Sequence, residues 1–130
     1  MPWTATVDSD TSIVEVRYSG ALTEGKLADA LDGARQLACR YGITKVLADC
    51  SGLTVAPRYG TLAAIANAFT GDYRQRQLRR ALLLPKSHLL TDRLEFWETL
   101  CCNRGTTARL FSERAAALAW LSESDQPSCS

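Results

Sequence analysis

The chain has 130 residues, 46% of them hydrophobic and 22% charged, with a formal net charge of +1. That length fits one domain with a core of its own, and a charge near zero supplies no long-range field to gather nucleic acid or anionic lipid. No apolar run approaches the ~18–20 residues of a membrane span, and Met1-Pro2-Trp3-Thr4 has neither the basic start nor the apolar stretch of a signal peptide, so a cytoplasmic location is expected.

Residues 3–7 predict a short first strand and Asp8-Ser9-Asp10 a turn, because short polar side chains bond nearby backbone groups. Ile13, Val14, Val16 and Tyr18 form a β-rich run closing at Gly20, so the two strands should pair as an antiparallel hairpin. Thr23 is placed to cap the following helix, with Glu24 against its positive end. Leu27, Leu31, Ala34, Ala38 and Tyr41 recur at helical spacing on one face, and Gly42 supplies the stop.

Val46-Leu47-Ala48-Asp49-Cys50-Ser51-Gly52-Leu53 reads as the central strand and the loop that leaves it. Its apolar run does not alternate, as expected of a strand covered on both faces. Pro57 suits the first turn of a second helix, whose apolar face is Leu62, Ile65, Ala66, Phe69 and Tyr73, with a stop near Gly71. Arg74, Arg76, Arg79 and Arg80 read as a solvated helix end or linker before another non-alternating strand, residues 81–84. A third helix is expected from Thr91 or Asp92, with Asp92 and Glu95 at capping-box spacing. A last strand over residues 107–111 and a final helix capped by Ser112 complete the domain, residues 1–122, and residues 123–130 form a polar tail.

The order β-β-α-β-α-β-α-β-α implies an α/β fold: a mixed, mostly parallel five-stranded sheet with four helices on right-handed crossovers. Three segments carry a family resemblance. They are Val14-Glu15-Val16-Arg17-Tyr18-Ser19-Gly20-Ala21-Leu22-Thr23, Lys45 with the central strand, and the closing Ala108-Arg109-Leu110-Phe111 with Ala119-Trp120-Leu121. In this order they resemble the STAS superfamily, the fold of bacterial anti-sigma factor antagonists and of the cytoplasmic ends of sulfate transporters. A strand closing in Phe before a short Ala-rich helix with Trp-Leu is similar to the SpoIIAA-like branch, which has been compared with lipid-binding CRAL-TRIO domains. The resemblance spans residues 5–122.

It implies a non-enzymatic module that binds protein partners. Antagonists of the switching kind carry an Asp-Ser-Ser-Gly-like turn at the start of the second helix, where a partner kinase phosphorylates one Ser. The register of the central strand places Pro57-Arg58-Tyr59-Gly60 over that turn. Gly60 matches and neither serine does, while Thr61 lies one position beyond. The resemblance therefore implies partner binding without the usual phosphoacceptor.

The residues themselves leave several readings open. Asp49 and Ser51 sit where open α/β sheets bind ligands, or simply fix their turn by bonding its N–H groups. Cys50 and the single histidine, His88, fall near the ends of adjacent strands, a Cys–His hydrolase geometry with no visible orienting group. The five cysteines show no C-x-x-C spacing and are expected to be reduced and mostly buried. Cys101 and Cys102 point about 100° apart on a helix. No metal, cofactor or nucleic-acid partner is expected.

The second helix stands out because Arg58 is the only charged residue between Leu53 and Gly71. A surface helix needs a polar face. The set Asp49, Ser51, Val55, Arg58, Tyr59, Thr61, Leu62 and Ile65 is therefore expected to meet a protein partner or a second copy of the chain, or to line a pocket for an apolar small molecule. On this reading Ile65→Arg leaves the fold intact.

Overall fold

The opening hairpin forms as its pattern requires. In the computed structural model, which describes residues 3–123, β1 (Trp3–Asp8) runs antiparallel to β2 (Ile13–Ala21), with Trp3 opposite Tyr18 and Asp8 opposite Ile13. The turn between them holds Ser12 at φ 56°. Asp8 Oδ1 accepts from the Asp10 N–H at 3.0 Å.

Four more elements build the parallel part: α1 (Glu24–Tyr41), β3 (Lys45–Val55), α2 (Tyr59–Thr70) and β4 (Arg79–Leu83). A one-turn helix, α3 (Tyr73–Arg76), lies between α2 and β4. The chain then makes α4 (His88–Asn103), β5 (Thr107–Phe111) and α5 (Arg114–Leu121). Strands follow one another across the sheet in the order β1-β2-β3-β4-β5, parallel from β2 onward.

Parallel crossovers share one hand, and these strands are laid down in one direction. The crossover helices α1, α2 and α4 therefore land on the same face, over Val14, Val16, Val46, Ala48, Leu82 and Ala108. The other face is left to α5, whose Ala117, Trp120 and Leu121 cover Ile13, Leu47, Ala81 and Leu83. Both side-chain rows of β3 and β4 meet apolar neighbours, which is why neither strand alternates.

Gly42 closes α1 in the left-handed region at φ 66°. Gly33 serves a close approach: a Cβ there would lie 2.8 Å from the Trp3 ring, which lies against this helix from the edge strand. Thr23 occupies the N-cap position of α1 but its hydroxyl makes no capping bond. Tyr41 stays exposed, one turn too far along to reach the sheet.

The segment between α2 and β4 departs from expectation. Asp72 caps α3, accepting from the Arg74 N–H at 2.9 Å, so the domain has five helices rather than four. Tyr73 belongs to this extra turn and is exposed, not part of the α2 face. Strand β4 starts at Arg79, so Arg79 and Arg80 are buried and not solvated. Successive strand residues point to opposite faces, and each arginine finds its own aromatic. Arg79 lies 4.0 Å from the Trp120 ring centre and donates to the Trp120 carbonyl at 2.9 Å. Arg80 lies 5.0 Å from the Phe69 ring centre and donates to the Gln75 carbonyl at 3.1 Å and to Gln75 Oε1. Such stacking offsets part of the cost of removing a cation from water.

Three helix starts shift as well. The N-cap of α4 is Ser87, ahead of Thr91 and Asp92. That of α5 is Glu113, not Ser112. Pro57 precedes the α2 N-cap, Arg58, and so shapes the approach to that helix instead of its first turn. Of the polar tail over residues 123–130, only Glu123 is among the described residues, and its carboxylate lies 3.7 Å from Arg79.

Candidate interaction site

The site is built on the overhang of β3. Its pairing with β4 ends at Asp49–Leu83, while its pairing with β2 continues to Ala21–Val55. Residues 50–55 therefore project beyond the body of the sheet, held from one side only. Two register shifts against β2 bend this overhang. Gly52 makes the bend feasible, because a Cβ there would sit 2.9 Å from the Tyr18 carbonyl oxygen. The overhang delivers the chain to α2, and Leu22 N–H bonds the Val55 carbonyl at 2.9 Å.

The sequence-predicted residues divide into three groups. Asp49 and Ser51 share a face of β3 with Leu47 and point to the α5 side. Asp49 Oδ1 accepts from Ser51 N–H at 3.0 Å and from Ser51 Oγ at 2.6 Å, so the pair fixes its own turn. The other carboxylate oxygen of Asp49 lies 3.9 Å from Arg114, which also bonds Glu15. Burial would raise the Glu15 pKa, but the hydrogen bonds from Arg114 and Arg17 outweigh it and hold the carboxyl below its ordinary value.

Val55, Arg58 and Tyr59 form the second group and are exposed at the end of the overhang. The Tyr59 ring meets Phe96 edge-on at 5.0 Å, and the Arg93 guanidinium lies 5.9 Å from its centre. Arg93 is itself anchored, donating to the Ala56 carbonyl at 2.6 Å. One helical turn before Arg93 on α4 stands Leu89, 83% exposed; residues four apart on a helix are neighbours. Val55, Tyr59 and Leu89 thus lie around Arg93, and Arg58 is exposed next to Tyr59 in the chain. The first turn of α2 carries no acidic residue and no side-chain cap, so the electrostatic sign there is positive. Leu89 and Arg93 were not singled out from sequence, because the third helix was expected to begin only after Leu89.

Thr61, Leu62 and Ile65 are the third group. Thr61 is half-buried, and Leu62 and Ile65 are in the core, 5% and 7% exposed. The buried face of α2 is spent on α1, α4 and the core over the sheet, while Ala64, Asn67 and Ala68 stay exposed. Leu62 and Ile65 are therefore corrected from surface to core. Beneath them a cavity of about 50 Å³ remains, walled by Tyr18, Cys50, Leu62, Arg80 and Trp97 among others. Sites for small molecules run to roughly 300–1,000 Å³.

No protein-family model matches the sequence, nor does any curated protein. Solved structures do align with it. That of the anti-sigma factor antagonist SpoIIAA in its unphosphorylated form matches with a TM-score of 0.53, covering 91% of this chain and 96% of that one at 16% identity. The chain has the SpoIIAA-like STAS fold. The five-stranded mixed sheet expected from the resemblance is the one observed.

Within this STAS fold Cys50 and His88 do not form a nucleophilic pair. Cys50 is buried, its Sγ is 3.9 Å from the Ala48 carbonyl, and burial, with the Asp49 charge, pushes its pKa up to about 12. A thiol so placed is not the thiolate that nucleophilic attack needs. His88 is exposed at the first residue of α4. Cys39, Cys50 and Cys101 are free thiols, Cys39 exposed and the other two buried, whereas Cys102 is disulfide-bonded, so the expectation that all five are reduced is corrected at Cys102. Among the described residues no cluster of His, Cys, Asp and Glu is placed to hold a metal ion, and no helix is long and apolar enough to cross a membrane.

Proposed function

We propose that this chain is a non-enzymatic regulatory module that captures a protein partner at the β3 overhang, through Val55, Arg58, Tyr59 and Leu89. The observation that carries the reading is the exposure of Val55, Tyr59 and Leu89 around the anchored Arg93, with Arg58 exposed next to Tyr59 in the chain. Exposed apolar patches with a polar border mark interaction sites, and interface centres favour aromatic and arginine side chains. The partner surface that fits has an apolar centre and an acidic flank.

The reading includes a cytoplasmic setting and control without serine phosphorylation at the turn before α2. Arg58 and Tyr59 stand where the resemblance places the serines, and the helix starts there without a serine or threonine in its first two positions, Tyr59 and Gly60. Asp49 and Ser51 support the rim from behind and are not contact residues in this reading.

The test compares affinity capture by the wild-type chain and by Val55→Asp/Leu89→Asp, with Glu15→Gln on the α5 side as a folded control. A partner should be retained by wild type and control and lost at least tenfold by the double variant, and the purified pair should form a complex of defined stoichiometry. Equal retention by all three proteins would overturn the assignment of the surface.

A further inference from the structure

A second surface lies away from the overhang, where α1 and α2 diverge. Between them runs an open groove of about 530 Å³, a volume in the range of real binding sites. The alanines Ala28 on α1 and Ala64 and Ala68 on α2 line it together with the buried Leu31, Ile65 and Phe69, so its surface is apolar and its outer walls are small. Carboxylates stand on its rim: Glu24, Asp32 and Asp72. Arg35 answers two of them, Asp32 at 2.6 Å and Asp72 at 3.6 Å, and Gln36 donates to Asp32 at 2.8 Å. Asp72 is further engaged as the cap of α3. Glu24 has no ion pair among the described residues, so the rim keeps a net negative charge.

The complement stands beside it. Of the four residues of α3, Gln75 turns inward, donating to the Leu31 carbonyl at 3.1 Å, and reaches the groove. Tyr73, Arg74 and Arg76 turn outward, with Tyr73 65% exposed. Neither Arg74 nor Arg76 makes an ion pair among the described residues. An acidic groove with small walls therefore adjoins a projecting turn that offers one ring flanked by two guanidinium groups. Adjacent complementary patches can satisfy each other across a two-fold axis, where residue i meets j and j meets i.

We propose that two copies of this chain pair through this surface, the α3 turn of each seated in the α1–α2 groove of the other. Tyr73 enters between the alanine walls, and Arg74 and Arg76 meet the rim at Glu24. The surface is separate from the Val55–Tyr59–Leu89 patch, so the two proposals stand or fall independently.

Sedimentation of the full chain from about 1 to about 300 μM reads the association directly. Wild type should move from the mass of one chain to that of two, and Tyr73→Ser should weaken the association at least tenfold. Arg74→Glu/Arg76→Glu and, separately, Glu24→Arg should each remain at single-chain mass, because both contacts then oppose like charges. Mixed together, the two charge-reversed proteins should form a heterodimer as tight as wild type, since every contact is again between opposite charges. All four positions are exposed, so unchanged circular dichroism should accompany each substitution. Wild type remaining monomeric throughout would overturn the proposal, as would charge-reversed variants that associate like wild type or fail to restore each other.

Discussion

The Arg80 guanidinium lies 5.0 Å from the Phe69 ring centre, in the core, with no carboxylate within ion-pair distance among the described residues. Its charge rests on the ring face and on the two oxygens of Gln75, and burial draws its pKa down to about 10. Truncation and isosteric replacement should therefore differ. Arg80→Ala removes the stack, opens space beside an existing cavity and strands Gln75 Oε1, costing about 3 kcal/mol. Arg80→Met keeps most of the volume and relieves a buried cation of its desolvation cost, so its loss should be less than half of that. Urea unfolding of the two variants measures the difference, and equal losses would show that packing alone matters at this position.

Alkaline pH should destabilise the domain. Burial pushes the Cys50 and Cys101 thiols from 9.0 up to about 12 and raises Tyr18 too. Groups raised in the fold contribute stability that is full below their unfolded pKa and lost as pH rises towards the folded one. Arg80 acts in the opposite sense, since its lowered pKa makes the fold gain as pH passes 10 towards 12.5. Three groups outweigh one, so the urea midpoint should fall between about pH 8.5 and about pH 10.5. Cys50→Ala should flatten that slope.

Ile65→Arg should unfold the protein. The side chain is 7% exposed and packs in the core cluster, so a longer cationic side chain forfeits that packing and forces its neighbours apart, a loss of more than about 3 kcal/mol. Ala64→Arg, on the exposed side of the same helix, should change stability by about 0.5 kcal/mol or less. Thermal melts followed by circular dichroism separate the two. Equal melting temperatures would contradict the placement of α2 between α1 and α4.

Two glycines in the site should respond with opposite sign. Gly52→Ala drives a methyl group against the Tyr18 carbonyl at 2.9 Å and should cost about 1–3 kcal/mol. Gly60→Ala meets nothing within 4 Å in the first turn of α2 and should stabilise by about 0.5–1 kcal/mol. Denaturant midpoints of both variants check the pair.

Strand and helix periodicities made most of the fold legible in the sequence. Val46, Leu47 and Ala48 without alternation pointed to a strand buried on both faces, and Gly42 marked the end of α1. What was not legible depended on distant partners. Arg79 is buried because Trp120 comes to meet it from 41 positions later in the chain, and no local pattern announces such a pairing. The α2 face is apolar as its pattern indicates, but Leu62 and Ile65 lie in the core instead of on the surface. A helix enclosed by the sheet and two neighbouring helices has the same composition as one enclosed by another protein. Leu89 escapes notice for a simpler reason: its helix is capped at Ser87, five residues before Asp92, the cap that the spacing of Asp92 and Glu95 suggests.

The placement of α5 has a consequence for synthesis. Three crossover helices cover their face of the sheet as each βα unit is completed, but Leu47, Ala81 and Leu83 have no cover until Trp120 and Leu121 are in place. While the chain is being made, the second face stays bare through the arrival of all five strands. The nascent domain therefore passes through a stage with a finished sheet and one sticky side, and shelter by the ribosome or a chaperone matters most for that interval.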